Sequence, residues 1–254
     1  MHRIVRCAKG LYMALGMFCA IPLPSHLLDD DCMDLMLPCL PLVGAVIGAI
    51  WYWAVRLLVF TGIHSVLTAA LAAVLPFVLS GFLHLDGYMD TSDALLSRRP
   101  LEEKIRILKD PHMGVFSGVM LAVLFLLQFA ATYAIVDRGA PLAALMAIPV
   151  MSRCGASLAL LCLKTMPQSG YGAMFRQNTR TAHKVWIAAV ALVALSLSWL
   201  CMGAYGLIAA IAVAAGFGLA MLCAYMACEG VSGDLAGFSI VLGEVCGLIA
   251  MGVL

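Results

Sequence analysis

Charge is scarce in this chain. Asp, Glu, Lys and Arg together make up 11% of 254 residues, where soluble domains carry about 25%. Apolar residues reach 64% and mean hydropathy is +1.03. Those values exclude an ordinary water-soluble globule. Linkers, low-complexity tracts and clear repeats are also missing, so residues 1–254 read as one domain. The ten cysteines form no Cys-x-x-Cys pair and no zinc spacing, and read as reduced thiols packed among apolar groups. The formal charge of +1 hides clustered basic residues, and none of them forms an extended nucleic-acid surface.

What is abundant is apolar sequence in runs long enough to cross a bilayer. Seven stand out: Leu37–Gly62, Val66–Leu85, Val115–Val136, Pro141–Leu163, Val185–Met202, Tyr205–Cys228 and Leu235–Leu254. The predicted fold class is all-α, a polytopic membrane bundle of about seven transmembrane helices. Leu11–Leu28 follows His2, Arg3, Arg6 and Lys9 and resembles the start of a signal peptide, but Pro22 and Pro24 interrupt it. An interfacial or re-entrant N-terminal helix fits better. With that helix outside the bilayer, the basic loops around Arg98–Lys109 and Lys164–Lys184 fall on the cytoplasmic side, together with Glu229–Asp234. This satisfies the positive-inside rule. The expected location is the bacterial cytoplasmic (inner) membrane, with the polar loops gathered over one cytoplasmic mouth. Oligomeric state, a homo-oligomer included, is left open.

The densest chemistry lies in His84-Leu85-Asp86-Gly87-Tyr88-Met89-Asp90-Thr91-Ser92-Asp93. In a helix, Asp86, Asp90 and Asp93 share one face at i, i+4 and i+7. Helix capping accounts for one acid, not for three on one stripe. Crowded carboxylates are tolerated when a cation binds them, and at a membrane boundary Mg²⁺ holding a phosphate-bearing substrate is the natural choice. Gly87 removes bulk beside Asp86, which would admit a phosphate near the backbone.

Other segments carry weaker signals. Lys109, Asp110 and His112 stand between two breakers, Pro111 and Gly114, and Lys109 suits phosphate neutralisation. Arg153 lies midway along an apolar run, where a charge costs about 2.5 kcal/mol or more. It serves either as a substrate contact or as an ion-pair partner of Glu244. Gly170 and Gly172 flank Tyr171 in a glycine-rich loop able to approach a phosphate or simply to connect two helices. Asp234, after Gly230 and Gly233, opens the last span and could oppose Asp86, Asp90 and Asp93.

Together these residues resemble the cobalamin synthase family, the membrane-bound adenosylcobinamide-GDP ribazoletransferases. The likeness runs along most of the chain: Ile21-Pro22-Leu23-Pro24, Pro41-Leu42-Val43-Gly44, Gly81 to Gly87 with Asp90-Thr91 and Asp93, Lys109-Asp110 with Met113-Gly114, Ser152-Arg153, Gly170-Tyr171-Gly172 with Phe175, Gly230 to Asp234, and Gly243-Glu244. His-Leu-Asp-Gly-x-x-Asp-Thr-x-Asp is the specific part. Ala94 departs from the glycine common in the family after the third acid.

The resemblance implies joining adenosylcobinamide-GDP to α-ribazole, or to its 5′-phosphate. The products are adenosylcobalamin, or its phosphate, and GMP, with Mg²⁺ as the metal. It implies attack of a ribose 5′-hydroxyl on the cobinamide-side phosphorus, with Asp86, Asp90 and Asp93 on Mg²⁺. Lys109 and Arg153 then assist the phosphates, Asp110 adds a metal ligand or holds Lys109, and His84 or a carboxylate takes the proton. On that view Asp90→Ala and Asp93→Ala remove most Mg²⁺-dependent turnover and leave protein abundance intact. Two other classes compete. A CDP-alcohol phosphatidyltransferase needs an Ala-Arg soon after Asp-Gly, and a prenyltransferase needs a second acidic motif in a later loop. Neither feature is present. An ion or metal transporter would use Arg153 and Glu244 along a permeation path.

Overall fold

Backbone amides inside a bilayer have no water to bond, so apolar runs of this length resolve into helices. The computed structural model describes residues 2–24, 30–166 and 179–254, and among them no strand forms beyond an isolated bridge between Thr165 and Val231. The helices are α1 (His2–Phe18), α2 (Met36–Phe60), α3 (Ser65–Leu79), α4 (Leu83–Leu96), α5 (Leu101–Ile107), α6 (Val115–Asp137), α7 (Ala144–Cys162), α8 (Thr181–Cys228) and α9 (Gly233–Val253). A 3-10 turn at Asp30–Leu35 leads into α2.

Five helical segments among the described residues are long and apolar enough to cross a membrane, and a sixth follows if α3 and α4 count as one bent span. The expected seven is not reached by this measure. The reason lies at Gly203. The runs Val185–Met202 and Tyr205–Cys228 form one continuous segment, α8, whose backbone leaves the helical region only at Gly203 (φ 59°, ψ −142°). The break is sharp. A Cβ on Gly206 would lie 2.5 Å from the Ser198 carbonyl oxygen, although eight helical residues rise about 12 Å in a straight helix. The two arms therefore double back. Helix α1 is not among the apolar spans. It packs Met13, Ala14 and Phe18 inward, and Arg6 Nη2 bonds both carboxylate oxygens of Asp34 at 2.8 and 2.9 Å.

Helix α9 is the centre of the bundle. Its most apolar stretch is 72% buried, against 28% for α6. Two prolines shape the packing around it. Pro41 has no N–H to give the Leu37 carbonyl four residues back, and Ser157 Oγ of α7 donates to that oxygen instead, at 2.7 Å. Pro76 likewise frees the Ala72 carbonyl, and the buried Trp51 indole of α2 donates to it at 2.8 Å. Each proline thus creates an acceptor that pins a neighbouring helix.

Between α3 and α4 the chain turns by 91°. Gly81 (φ 61°) and Phe82 (φ 60°) take left-handed conformations in succession, which end α3 and redirect the chain. Helix α4 does not continue the span. It lies across the N-terminal ends of α6 and α9, with the Tyr88 hydroxyl donating to the Met120 carbonyl at 3.1 Å and its ring stacked on Phe238. The polar loops meet at the same end. The Val231 amide donates to the Lys164 carbonyl at 2.8 Å, and Lys104 Nζ reaches the Ala227 carbonyl at 3.4 Å.

Replacing Trp51 with Phe strands the Ala72 carbonyl and is expected to cost about 1–3 kcal/mol, read from unfolding in detergent. In a Pro76→Ala background the helix regains its own donor, so the cost of Trp51→Phe should shrink. Equal costs in both backgrounds would refute the proline-acceptor account.

Candidate active site

The site is built where α4 crosses α9. A Cβ on Gly87 would lie 2.8 Å from the Asp234 carbonyl oxygen and 2.9 Å from its Cα. The space beside Gly87, expected to admit a phosphate, is filled by the backbone of α9. The crossing sets Asp86 of α4 against Asp234 of α9, and both line one cavity of about 240 Å³. Ser232 caps α9 by accepting the Leu235 amide at 3.3 Å, and its hydroxyl is 3.4 Å from Asp234 Oδ2.

The three aspartates of α4 have three different environments. Asp86 is exposed and faces the cavity. Asp90, one turn on, is half-buried. Burial first, and then the charges of Asp86, Asp234 and Asp93, push its carboxyl up to about 7. Asp93 is buried and turned to α6. Its Oδ2 accepts the Gly114 amide at 2.8 Å and its Oδ1 the Ser117 amide at 3.0 Å. These are donors that the first turn of a helix leaves without intrahelical partners. A Cβ on Gly114 would sit 2.6 Å from Asp93 Cγ, so a side chain there would displace the carboxylate from these amides. Among the described residues no three His, Cys, Asp or Glu side chains converge closely enough to hold a metal ion.

Other residues singled out in the sequence fall around this centre. His84 is buried and lines the cavity, and its Nε2 has no partner among the described residues. Thr91 Oγ1 and Arg153 Nε share that condition. Unsatisfied buried polar atoms are rare in native proteins, and two of these three stand on α4. Arg153 is 1% exposed and pairs with Glu244 at 2.5 Å, while Ser152 Oγ donates to the same Glu244 oxygen at 2.8 Å. The structure thus realises the ion-pair alternative for Arg153 and Glu244. Lys109 and Asp110 are exposed in the connection from α5 to α6, away from the cavity wall. Asp110 accepts the His112 amide at 3.0 Å, with the His112 ring nitrogen Nδ1 at 2.7 Å, and these bonds lower its carboxyl from the usual range. Gly170 and Gly172 lie outside the described residues.

Sequence reasoning missed the apolar half of the cavity. Phe18 of α1, Leu37 and Leu40 of α2 and Leu160 of α7 face Asp86 and Asp234. In a chain this apolar, nothing local distinguishes those four from their neighbours.

A family model described as cobalamin-5-phosphate synthase matches residues 10–252. The chain belongs to the cobalamin-5-phosphate synthase family. Similar curated proteins include the adenosylcobinamide-GDP ribazoletransferase of Clostridium botulinum strain Alaska E43, 37% identical over 243 residues, which is 95% of this chain and 96% of that one. That of Clostridium perfringens strain ATCC 13124 is 33% identical over 246 residues, 97% and 98% of the two chains. That of Geobacillus kaustophilus strain HTA426 is 30% identical over 248 residues, 93% and 92%. No solved structure matches. Membership in the synthase family covers every element of the α4–α9 site, so the crossing is part of the family domain and not an appended feature.

The environments of Asp90 and Asp93 separate two kinds of acid. Asp93→Ala leaves two amides at the start of α6 without acceptors and should lower stability by about 2 kcal/mol or more. Asp90→Asn relieves crowded charge and should leave the melting temperature unchanged or raised. The expectation that Asp93→Ala leaves abundance intact is revised accordingly. Equal melting temperatures for Asp93→Ala and the parent protein would contradict the capping role.

Proposed function

We propose that this chain transfers α-ribazole, or its 5′-phosphate, to adenosylcobinamide-GDP, forming adenosylcobalamin or its 5′-phosphate and releasing GMP. The reading places the reaction at the cytoplasmic face of the bacterial inner membrane. One observation carries it: two carboxylates on crossing helices, Asp86 and Asp234, line a cavity whose remaining walls are largely apolar. Such a cavity suits a substrate with a hydroxyl at one end and an apolar ring at the other.

The chemistry forms a bond from a ribose oxygen to the cobinamide-side phosphorus and breaks the bond from that phosphorus to the oxygen of GMP. An acceptor whose 5′ position already carries a phosphate, retained in the product, cannot attack through its 5′ oxygen. The attacking group is then a ring hydroxyl of the ribose, which revises the 5′-hydroxyl attack inferred from sequence. Asp234 lines the cavity beside Asp86 and would accept the hydroxyl proton, which passes to bulk water after GMP departs. His84 is buried and lines the same cavity. Lys109, exposed in the connection from α5 to α6 and, like the exposed Arg106, off the cavity wall, would contribute positive potential to a diphosphate only from solvent.

Mg²⁺ fits these residues in one form. Asp90 stands in a negative potential from three neighbouring acids, a surplus that a cation would neutralise. Mg²⁺ takes one or two carboxylates and keeps waters or phosphate oxygens for the rest. Asp86 and Asp90 supply such a pair, whereas Asp93 is engaged at α6. When bound there, the ion would draw negative charge from the phosphate oxygens.

The test is GMP release by purified protein given adenosylcobinamide-GDP and α-ribazole. Release should require Mg²⁺ and should fall by about 100-fold or more in Asp86→Asn and Asp90→Asn. Inside-out vesicles should turn over added substrates and sealed right-side-out vesicles should not. Undiminished release without Mg²⁺, or in either variant, would overturn the metal assignment.

A further inference from the structure

We infer that the cavity between α4 and α9 is the acceptor subsite, holding the apolar base of α-ribazole, while the corrinoid and the guanosine stay outside at the rim. The inference rests on the ribazoletransferase reading and goes beyond it by assigning which substrate enters. Size is the first reason. At about 240 Å³ the cavity lies below the roughly 300–1,000 Å³ of sites that enclose a drug-sized ligand. It has room for one flat bicyclic ring, not for a corrin macrocycle with its amide arms.

Chemistry is the second reason. Phe18, Leu37, Leu40, Leu160 and Ile240 offer no hydrogen bond to whatever ring lies against them. Guanine presents donors and acceptors around its edge, and each would be stranded on such a wall. A benzimidazole in nucleoside linkage keeps one ring-nitrogen acceptor and no exocyclic polar group, so it loses far less there than guanine does. The polar end is equally selective. Asp86 and Asp234 are the two acids among the cavity's lining residues. Asp234, the cavity acid outside the proposed Mg²⁺ pair, accepts a hydroxyl hydrogen and repels a phosphate. The cavity therefore favours the ribose hydroxyl end of the acceptor over either phosphate of the donor. The wall also includes Gly233, whose Cβ would meet nothing within 4 Å. A glycine at this place keeps the cavity open, and a side chain there can fill space without clashing with protein.

Gly233→Leu tests the assignment. Equilibrium binding of radiolabelled α-ribazole, and separately of adenosylcobinamide-GDP, is measured on purified full-length protein in detergent. In Gly233→Leu, α-ribazole affinity should fall about tenfold or more, with adenosylcobinamide-GDP affinity within about twofold of the parent. Phe18→Ala opens the opposite wall and should weaken α-ribazole selectively as well. Melting temperatures identify any variant that has not folded, and the other variant then decides. Unchanged α-ribazole affinity in a folded variant, or a loss confined to adenosylcobinamide-GDP, overturns the subsite. The underlying reading fails separately, if parent protein that binds both compounds releases no GMP.

Discussion

The contact between Gly87 of α4 and the backbone at Asp234 of α9 is the constraint on which the site depends. Two helices can touch backbone to backbone only where one lacks a side chain. Here the would-be Cβ falls within 3 Å of carbonyl and Cα atoms, none of which can swing aside. Gly237 repeats the device one turn further along α9, with its would-be Cβ 3.2 Å from the His84 carbonyl oxygen. A close crossing of this kind brings neighbouring side chains to bear on the same small volume. It sets Asp86 and Asp234, 148 positions apart in sequence, on one cavity. The same crossing leaves no room for a phosphate in the space beside Gly87.

The fold and the site are legible in the sequence to different depths. Membrane helices are readable because about twenty consecutive apolar residues carry an unambiguous physical meaning. The reversal at Gly203 is readable as a break between two runs, but not as a single segment folded back on itself, since a lone glycine carries little directional information. The helical stripe of Asp86, Asp90 and Asp93 is also readable, and α4 realises it. Their separate roles are not. Periodicity states which face a residue occupies and nothing about the element that meets that face. Asp93 is met by the bare amides of α6 and becomes a cap. Asp86 is met by a cavity, and Asp90 by the charges of its neighbours. Asp234 is readable at the start of the last span as an acid able to oppose the α4 stripe, and tertiary structure adds which member shares a cavity with it, Asp86.

The prolines carry a related lesson about apolar bundles. In water a carbonyl freed by proline finds a solvent partner. In a bilayer it must find a protein donor, and the cost of failing is higher. Pro41 and Pro76 sit inside helices, where they would ordinarily be destabilising. Each here supplies an acceptor for a donor on another helix, Ser157 in one case and Trp51 in the other. Defects in single helices thus become specific joints between helices. Dispersion among Leu, Ala and Val side chains cannot provide that specificity, because lipid tails offer much the same contact.

Arg153 and Glu244 extend the same logic to charge. Each would be prohibitive alone at that depth. Paired, and with Ser152 donating to Glu244, they still leave Arg153 Nε without a partner among the described residues. An ion pair of this quality adds little net stability over an apolar substitute of equal volume, although removing one member is costly. Its position gives it a different use. Glu244 lies on α9 ten residues beyond Asp234, about 15 Å along the axis and roughly 80° around it. A continuous helix carries a rotation at one of these points unchanged to the other. Arg153 Nη1 donates to the Pro149 carbonyl of its own helix as well as to Glu244. Apolar side chains at both positions would pack through many rotations of α9, whereas the guanidinium ties α7 to one face of it. Fixing the rotation of α9 fixes where Asp234 points. The buried pair is therefore best understood as the element that orients one wall of the cavity from below, while Gly87 and Gly237 set its distance from the other.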